Sequence, residues 1–160
     1  MTFDNSKTIY GVRIKLFFAT ILMLGYVGVV YAAKLIKFPV LGLDDSIWTL
    51  ILVAIYLFFA FLPSILNYQY IYYSDEDENI VFRYFTAGIV GGRKNSVEIK
   101  KNTFSGFQTE SKYFGLKRSL ILFQKSGQRI AKYPPIYISA LTKEQSEKLL
   151  KSLAAYAPTT

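Results

Sequence analysis

The chain has 160 residues, 52% of them hydrophobic, and a formal net charge of +8. That length accommodates one domain of ordinary size plus a small extra unit. There is no cysteine and no histidine, which excludes disulfides, thiol chemistry and zinc-thiolate sites and removes the commonest general base and metal ligand. No catalytic residue, cofactor or metal site is predicted, and the expected protein is not an enzyme.

Met1 to Lys15 is a short polar lead in which Lys7, Arg13 and Lys15 outweigh Asp4. The apolar run that follows predicts a first membrane span over 16–34. A signal peptide is the competing reading, but the run is long for a signal core and a second span follows closely. Gly28 with Ala32 has small-xxx-small spacing, Gly25 lies on the same span, and Ala60 with Ser64 repeats the spacing in the next one. Small residues let helices approach closely in lipid. Packing of the two spans on each other is the favoured use, and an interface with another subunit is the alternative.

The connection 34–45 (KLIKFPVLGLDD) is too short for a domain, and Pro39 and Gly42 break helices. Asp44, Asp45 and Ser46 suit the start of a helix, and Trp48 suits a membrane interface. From Ser46 to Ser74 there is no charged residue. Residues 47–66 are long enough to cross a hydrocarbon core of roughly 30 Å. Residues 1–66 thus read as a lead and a two-helix transmembrane hairpin. Three basic residues precede the first span and two lie in the connection, so both termini are expected in the cytoplasm.

Residues 67–157 read as one cytoplasmic domain. After Leu66 the pattern turns to alternating polar and aromatic residues, as strands do. Strands are predicted at 67–73, 80–85, 96–100, 103–109, 118–124, 129–133 and 136–139. Pro134 and Pro135 interrupt the ladder before the last of these. Thr142 to Gln145 has capping-box spacing and opens a helix whose stripe is Leu141, Gln145, Leu149, Leu150 and Leu153, with Pro158 beyond it. The expected fold is therefore a membrane α-hairpin plus an α+β tail. That tail is an antiparallel curled sheet or small barrel of about six to seven strands, capped by a C-terminal amphipathic helix.

The order of elements resembles the bacterial pleckstrin-homology-like domains carried by small membrane proteins with a transmembrane helical hairpin. The stretches that carry the resemblance are NIVFRYFTAGIVGGRKNSVEIKKNTFSGFQ, KYFGLKRSLILFQKSGQRI and ISALTKEQSEKLLKSL. The step before a hairpin in that family looks like Tyr113-Phe114-Gly115-Leu116. Val97-Glu98-Ile99 stands where the family has a proline-bearing strand, here without the proline. The resemblance covers about residues 67 to 153 and implies a membrane location and a scaffolding or interaction role. It brings no catalytic residue, and phosphoinositide binding is not carried over.

Alternation of the strands places two connections on the membrane side: 86–95, with Ile89, Val90, Arg93 and Lys94, and 110–117, with Lys112, Tyr113, Phe114 and Lys117, followed by Arg118. These residues are the predicted surface for anionic lipid or a partner, each cation contributing about 1 kcal/mol near an anionic membrane. The acidic turn Asp75–Glu78 falls on the far side. It lacks the glycine and ligand spacing of a calcium loop and reads as a solvated turn. Gly88, Gly91 and Gly92 lack the context of a phosphate-binding loop, and nucleic acid is not an expected partner. The functional expectation is an inner-membrane interaction or scaffold module whose partner is a membrane protein or a second copy. The alternative is an accessory subunit of a larger transport, secretion or respiratory complex, held through its spans.

Overall fold

The computed structural model describes residues 1–87 and 92–158. The chain forms two compact units, Met1–Ile9 with Ser64–Thr160, and Tyr10–Pro63.

The Tyr10–Pro63 unit is helical. Helix α1 (Ser6–Val27) runs on through a π-helical turn, Gly28–Ala32, and helix α2 spans Asp45–Ile65. Both are long and apolar enough to cross a membrane. Helix α1 begins well before the predicted start of its span, because hydropathy marks the apolar part of a helix and not its first turn. The helices do not bury their apolar side chains: Leu22 is 73% exposed and Leu50 70%. A core helix of a soluble protein does the opposite.

Hydroxyls join the two helices. Tyr56 bonds Thr20 Oγ1 at 2.9 Å, and Tyr26 and Tyr31 both reach Thr49 Oγ1, at 3.0 and 2.7 Å. The threonine hydroxyls donate to Leu16 O and Asp45 O within their own helices, which leaves the tyrosines as donors. Long side chains therefore hold this seam. A Cβ added to Gly25 or Gly28 meets nothing within 4 Å, Ala32 and Ser64 are exposed, and only Ala60 of the predicted packing residues is buried. The expectation that the glycines pack the two spans together is corrected: not even an added Cβ at Gly25 or Gly28 would reach the facing helix, and the hydrogen bonds between the helices run through tyrosine and threonine hydroxyls.

In the other unit the expected antiparallel strands form two four-stranded sheets among the described residues, where one curled sheet or small barrel of six to seven strands was expected. The first has the order β1 (Thr2–Asp4), β2 (Gln69–Ser74), β3 (Asn79–Thr86), β4 (Asn95–Lys100). In the second, β6 (Lys117–Ser126) has β5 (Phe104–Lys112) on one edge, and β7 (Arg129–Lys132) and β8 (Ile136–Tyr137) share the other. The single helical turn Lys101–Thr103 separates β4 from β5, so the two sheets do not close on each other. Pro134 and Pro135 fall between β7 and β8, where the ladder breaks as expected.

Strand β1 is the element that the sequence reading missed. A three-residue strand has no readable period, and its pairing with β2 (Phe3 opposite Tyr73) makes it one. Asn5, only 1% exposed, continues that ladder through its side chain: Nδ2 donates to Gln69 O at 2.9 Å and Oδ1 accepts from Ile71 N at 2.8 Å. The N-terminal residues assigned to the hairpin segment are thus part of the sheet unit, and the chain passes between the units inside a helix at both crossings.

Alternation then builds the core. Ile71 and Tyr73 of β2, Ile80, Phe82 and Tyr84 of β3, and Val97 and Ile99 of β4 point inward, against Leu120 and Leu122 of β6. Helix α3 (Lys143–Tyr156) covers them with Leu149 and Leu153. Its capping box forms as the spacing predicts, Thr142 Oγ1 accepting from Gln145 N while Gln145 Oε1 accepts from Thr142 N, both at 3.2 Å. Gln145, placed on the apolar stripe by the sequence, instead caps the helix and reaches Asp4 O at 3.0 Å.

Candidate functional site

The sheet unit has two chemically different ends. At one, the chain leaves for the helices. Ile9 packs with Ala87 and Ala140. Helix α2 ends at Ile65, and just beyond it Asn67 adopts a left-handed backbone (φ +51°) that asparagine tolerates. The Asn67 amide, oriented to satisfy both neighbours, accepts from Lys117 Nζ at 2.8 Å and donates to Ser64 O at 3.2 Å. Ala87 N donates to Tyr68 O at 2.8 Å. The start of the 86–95 connection and the tip end of the β5–β6 hairpin therefore lie together at the exit end. The turn 75–78 lies at the other end, since β2 and β3 run from one end to the other.

Of the predicted surface residues, Arg93 and Lys94 are exposed at the exit end, and Lys112, Tyr113 and Phe114 are exposed at the hairpin tip. Ile89 and Val90 lie outside the described residues, as do Gly88 and Gly91. Gly92 approaches Thr86 so closely that a Cβ there meets Thr86 Cβ at 2.7 Å, which gives this glycine a steric role. Lys117 and Arg118 are committed within the fold. Lys117 Nζ lies 5.2 Å from the centroid of the Tyr137 ring. The Arg118 guanidinium reaches Leu141 O at 3.2 Å and Ser146 Oγ at 3.4 Å, tying β6 to the start of α3.

The tip itself has an unusual backbone. Tyr113, Phe114 and Gly115 all have positive φ, at +52°, +55° and +91°, and Leu116 N donates to Tyr113 O at 3.1 Å. Positive φ at both central residues is what a type I′ turn requires, and Asn-Gly is the pair that meets the requirement most cheaply. Here a phenylalanine stands before the glycine, its ring completely exposed, so it gains no packing in return. Left-handed backbone costs an L-residue roughly 1–2 kcal/mol. Phe114→Asn is accordingly expected to stabilise the fold by about 0.5–1 kcal/mol, read as a higher urea midpoint at unchanged slope. A loss of stability would show that the ring is packed.

A second cluster lies at the opposite end. Asp75 is 6% exposed, which corrects the expectation of a fully solvated acidic turn; Glu76, Asp77 and Glu78 are exposed as expected. The Asp75 carboxylate meets the Met1 ammonium, the Ser152 hydroxyl and the Tyr73 hydroxyl, and Lys101 Nζ donates to its carbonyl at 2.7 Å. Burial opposes ionisation of Asp75, but the hydrogen bonds from the ammonium and from Ser152 outweigh it and hold its pKa below the usual carboxylate value. Burial pushes the Tyr73 phenol well above its ordinary value. The cluster joins β1, β2 and α3. Among the described residues no group of three or more carboxylates or other metal ligands gathers.

Comparison with protein-family models, with curated proteins and with solved structures finds no match to this chain. What sequence reasoning missed at these sites are the Asn5 staple, the burial of Asp75 and the inward commitment of Arg118. One signal was present: Asp75 directly follows the last inward-alternating residues of β2, whereas the other acids of the turn lie beyond the strand.

Proposed function

We propose that this chain is a non-enzymatic integral membrane protein of the bacterial inner membrane, presenting a pleckstrin-homology-like interaction or scaffold module at the cytoplasmic surface. One observation carries the reading: two helices of membrane-spanning length expose their apolar side chains, and both run into the sheet unit within continuous helix. Exposed apolar area on that scale is unfavourable in water and favourable in lipid. The sheet-and-helix architecture and the sequence stretches quoted above support the pleckstrin-homology-like part of the reading. The absence of both histidine and cysteine supports a binding role.

Alkaline carbonate washing of membranes is the first test. The protein is expected in the pellet, and its appearance in the wash would sink the reading. Because the chain has no cysteine, a single Ser126→Cys variant reports sidedness: a membrane-impermeant maleimide should label it in inverted vesicles and not in intact cells. Labelling in intact cells would reverse the orientation.

A second reading is favoured by Gly25 and Gly28, around which there is open space within this chain. An accessory subunit would use that face for a helix of another membrane protein. Mild detergent extraction followed by mass determination separates the two, a stable heteromeric complex favouring the accessory subunit.

A further inference from the structure

We propose that the tip of the β5–β6 hairpin is a bilayer wedge, with Tyr113, Phe114 and Leu116 seated at the boundary between headgroups and acyl chains of an anionic leaflet. The proposal rests on the membrane-spanning reading above and names the surface that the sheet unit would use there.

Three observations converge. The three side chains are exposed together at one turn, whereas isolated exposed apolar residues need no explanation. Their backbone is held in the left-handed region at two non-glycine residues. Such strain persists where the surroundings over-determine it and is concentrated at functional positions. The surroundings do so here, because β5 and β6 pair without a break from Phe107 opposite Leu122 to Lys112 opposite Lys117. The tip thus stands on a continuous two-stranded stalk whose tip end is pinned by Lys117 and Arg118.

Placement and charge select lipid as the occupant. Through Lys117, the tip end of the stalk adjoins Asn67, which bonds Ser64 where the chain leaves for α2. Lys112 flanks the tip, Arg93 and Lys94 are exposed at the same end, and no acidic residue occurs between Ser111 and Arg118. The exposed acids Glu76, Asp77 and Glu78 are at the opposite end. Aromatic rings prefer the membrane interface, and lysines beside them meet anionic headgroups.

The test uses the full chain reconstituted in vesicles of phosphatidylcholine with a minority of phosphatidylglycerol. Trp48→Phe with Phe114→Trp leaves one tryptophan, at the tip. Its emission is expected to shift to the blue and to fall about twofold with acyl-brominated lipid, as for a ring buried several ångströms below the headgroups. Leu116→Trp provides a second reporter at the tip. Ile130→Trp, on β7 at the far end, is expected to remain red-shifted and unquenched. A water-like, unquenched tip overturns the proposal. A blue shift without quenching also overturns it, showing that a second copy covers the tip. Equal quenching at Ile130→Trp overturns the assignment to the tip. Carbonate washing of the same vesicles separates the two claims. Protein that stays in the pellet with an unquenched tip fails the wedge alone, and protein that washes off fails the spanning reading and the wedge with it.

Discussion

Replacing Ile55 by aspartate is expected to cut membrane integration about a hundredfold, equivalent to roughly 3 kcal/mol. Ile55 sits near the middle of α2 and is 50% exposed. If that surface faced water, an exposed substitution would change stability by only about 0.5 kcal/mol in either direction. At the centre of a lipid-embedded helix, aspartate costs about 2.5–3.5 kcal/mol and the lost isoleucine adds a few tenths. Leu41→Asp is the control: Leu41 is more exposed still but lies between the helices, so integration should be unchanged. The carbonate-resistant fraction measures both. Equal integration of wild type and Ile55→Asp would mean that α2 does not cross a bilayer.

Asp75→Asn is expected to remove about 2 kcal/mol of stability at neutral pH, the size of a hydrogen-bonded buried charge deprived of its ionic partners. It is also expected to change the acid limb of stability. The folded pKa of Asp75 is depressed relative to the ordinary value of 3.8. Its contribution is therefore fully present above that ordinary value and is lost as pH falls through the folded one. Wild type should lose this increment on going from neutral pH to below pH 3.8, and the variant should have none of it to lose. Urea midpoints of the detergent-solubilised chain across this range check both parts. An unchanged acid limb in the variant would show that Asp75 is not the titrating group.

Residue patterns made much of the architecture legible. Two uncharged apolar runs marked the helices, because a membrane-length helix needs little more than length and hydropathy. Alternation through Ile71, Tyr73, Ile80 and Phe82 marked the strands, since every second side chain must face the core. The capping box at Thr142 and Gln145 was readable because all its partners lie within one turn. The tip Tyr113–Leu116 was found as a basic-aromatic loop, although its backbone was not foreseen: Phe-Gly is not a turn pair that sequence rules favour.

Tertiary contact decided the rest. Thr2–Asp4 became a strand, and Asn5 a buried staple, only through β2, which lies more than sixty residues further along the chain. Lys117 and Arg118 looked like surface cations, yet Tyr137, Asn67, Leu141 and Ser146 claim them. The spans were expected to meet through small residues; of these only Ala60 is buried, and Tyr26, Tyr31 and Tyr56 meet threonine hydroxyls across the seam. The amino-acid sequence by itself determined the local elements and their inward faces, because those depend on neighbours within a turn or a strand. Only the folded chain decided which polar side chains stay in solvent and which are drawn inside, because that choice depends on partners that are remote in sequence and become adjacent only when the sheets assemble.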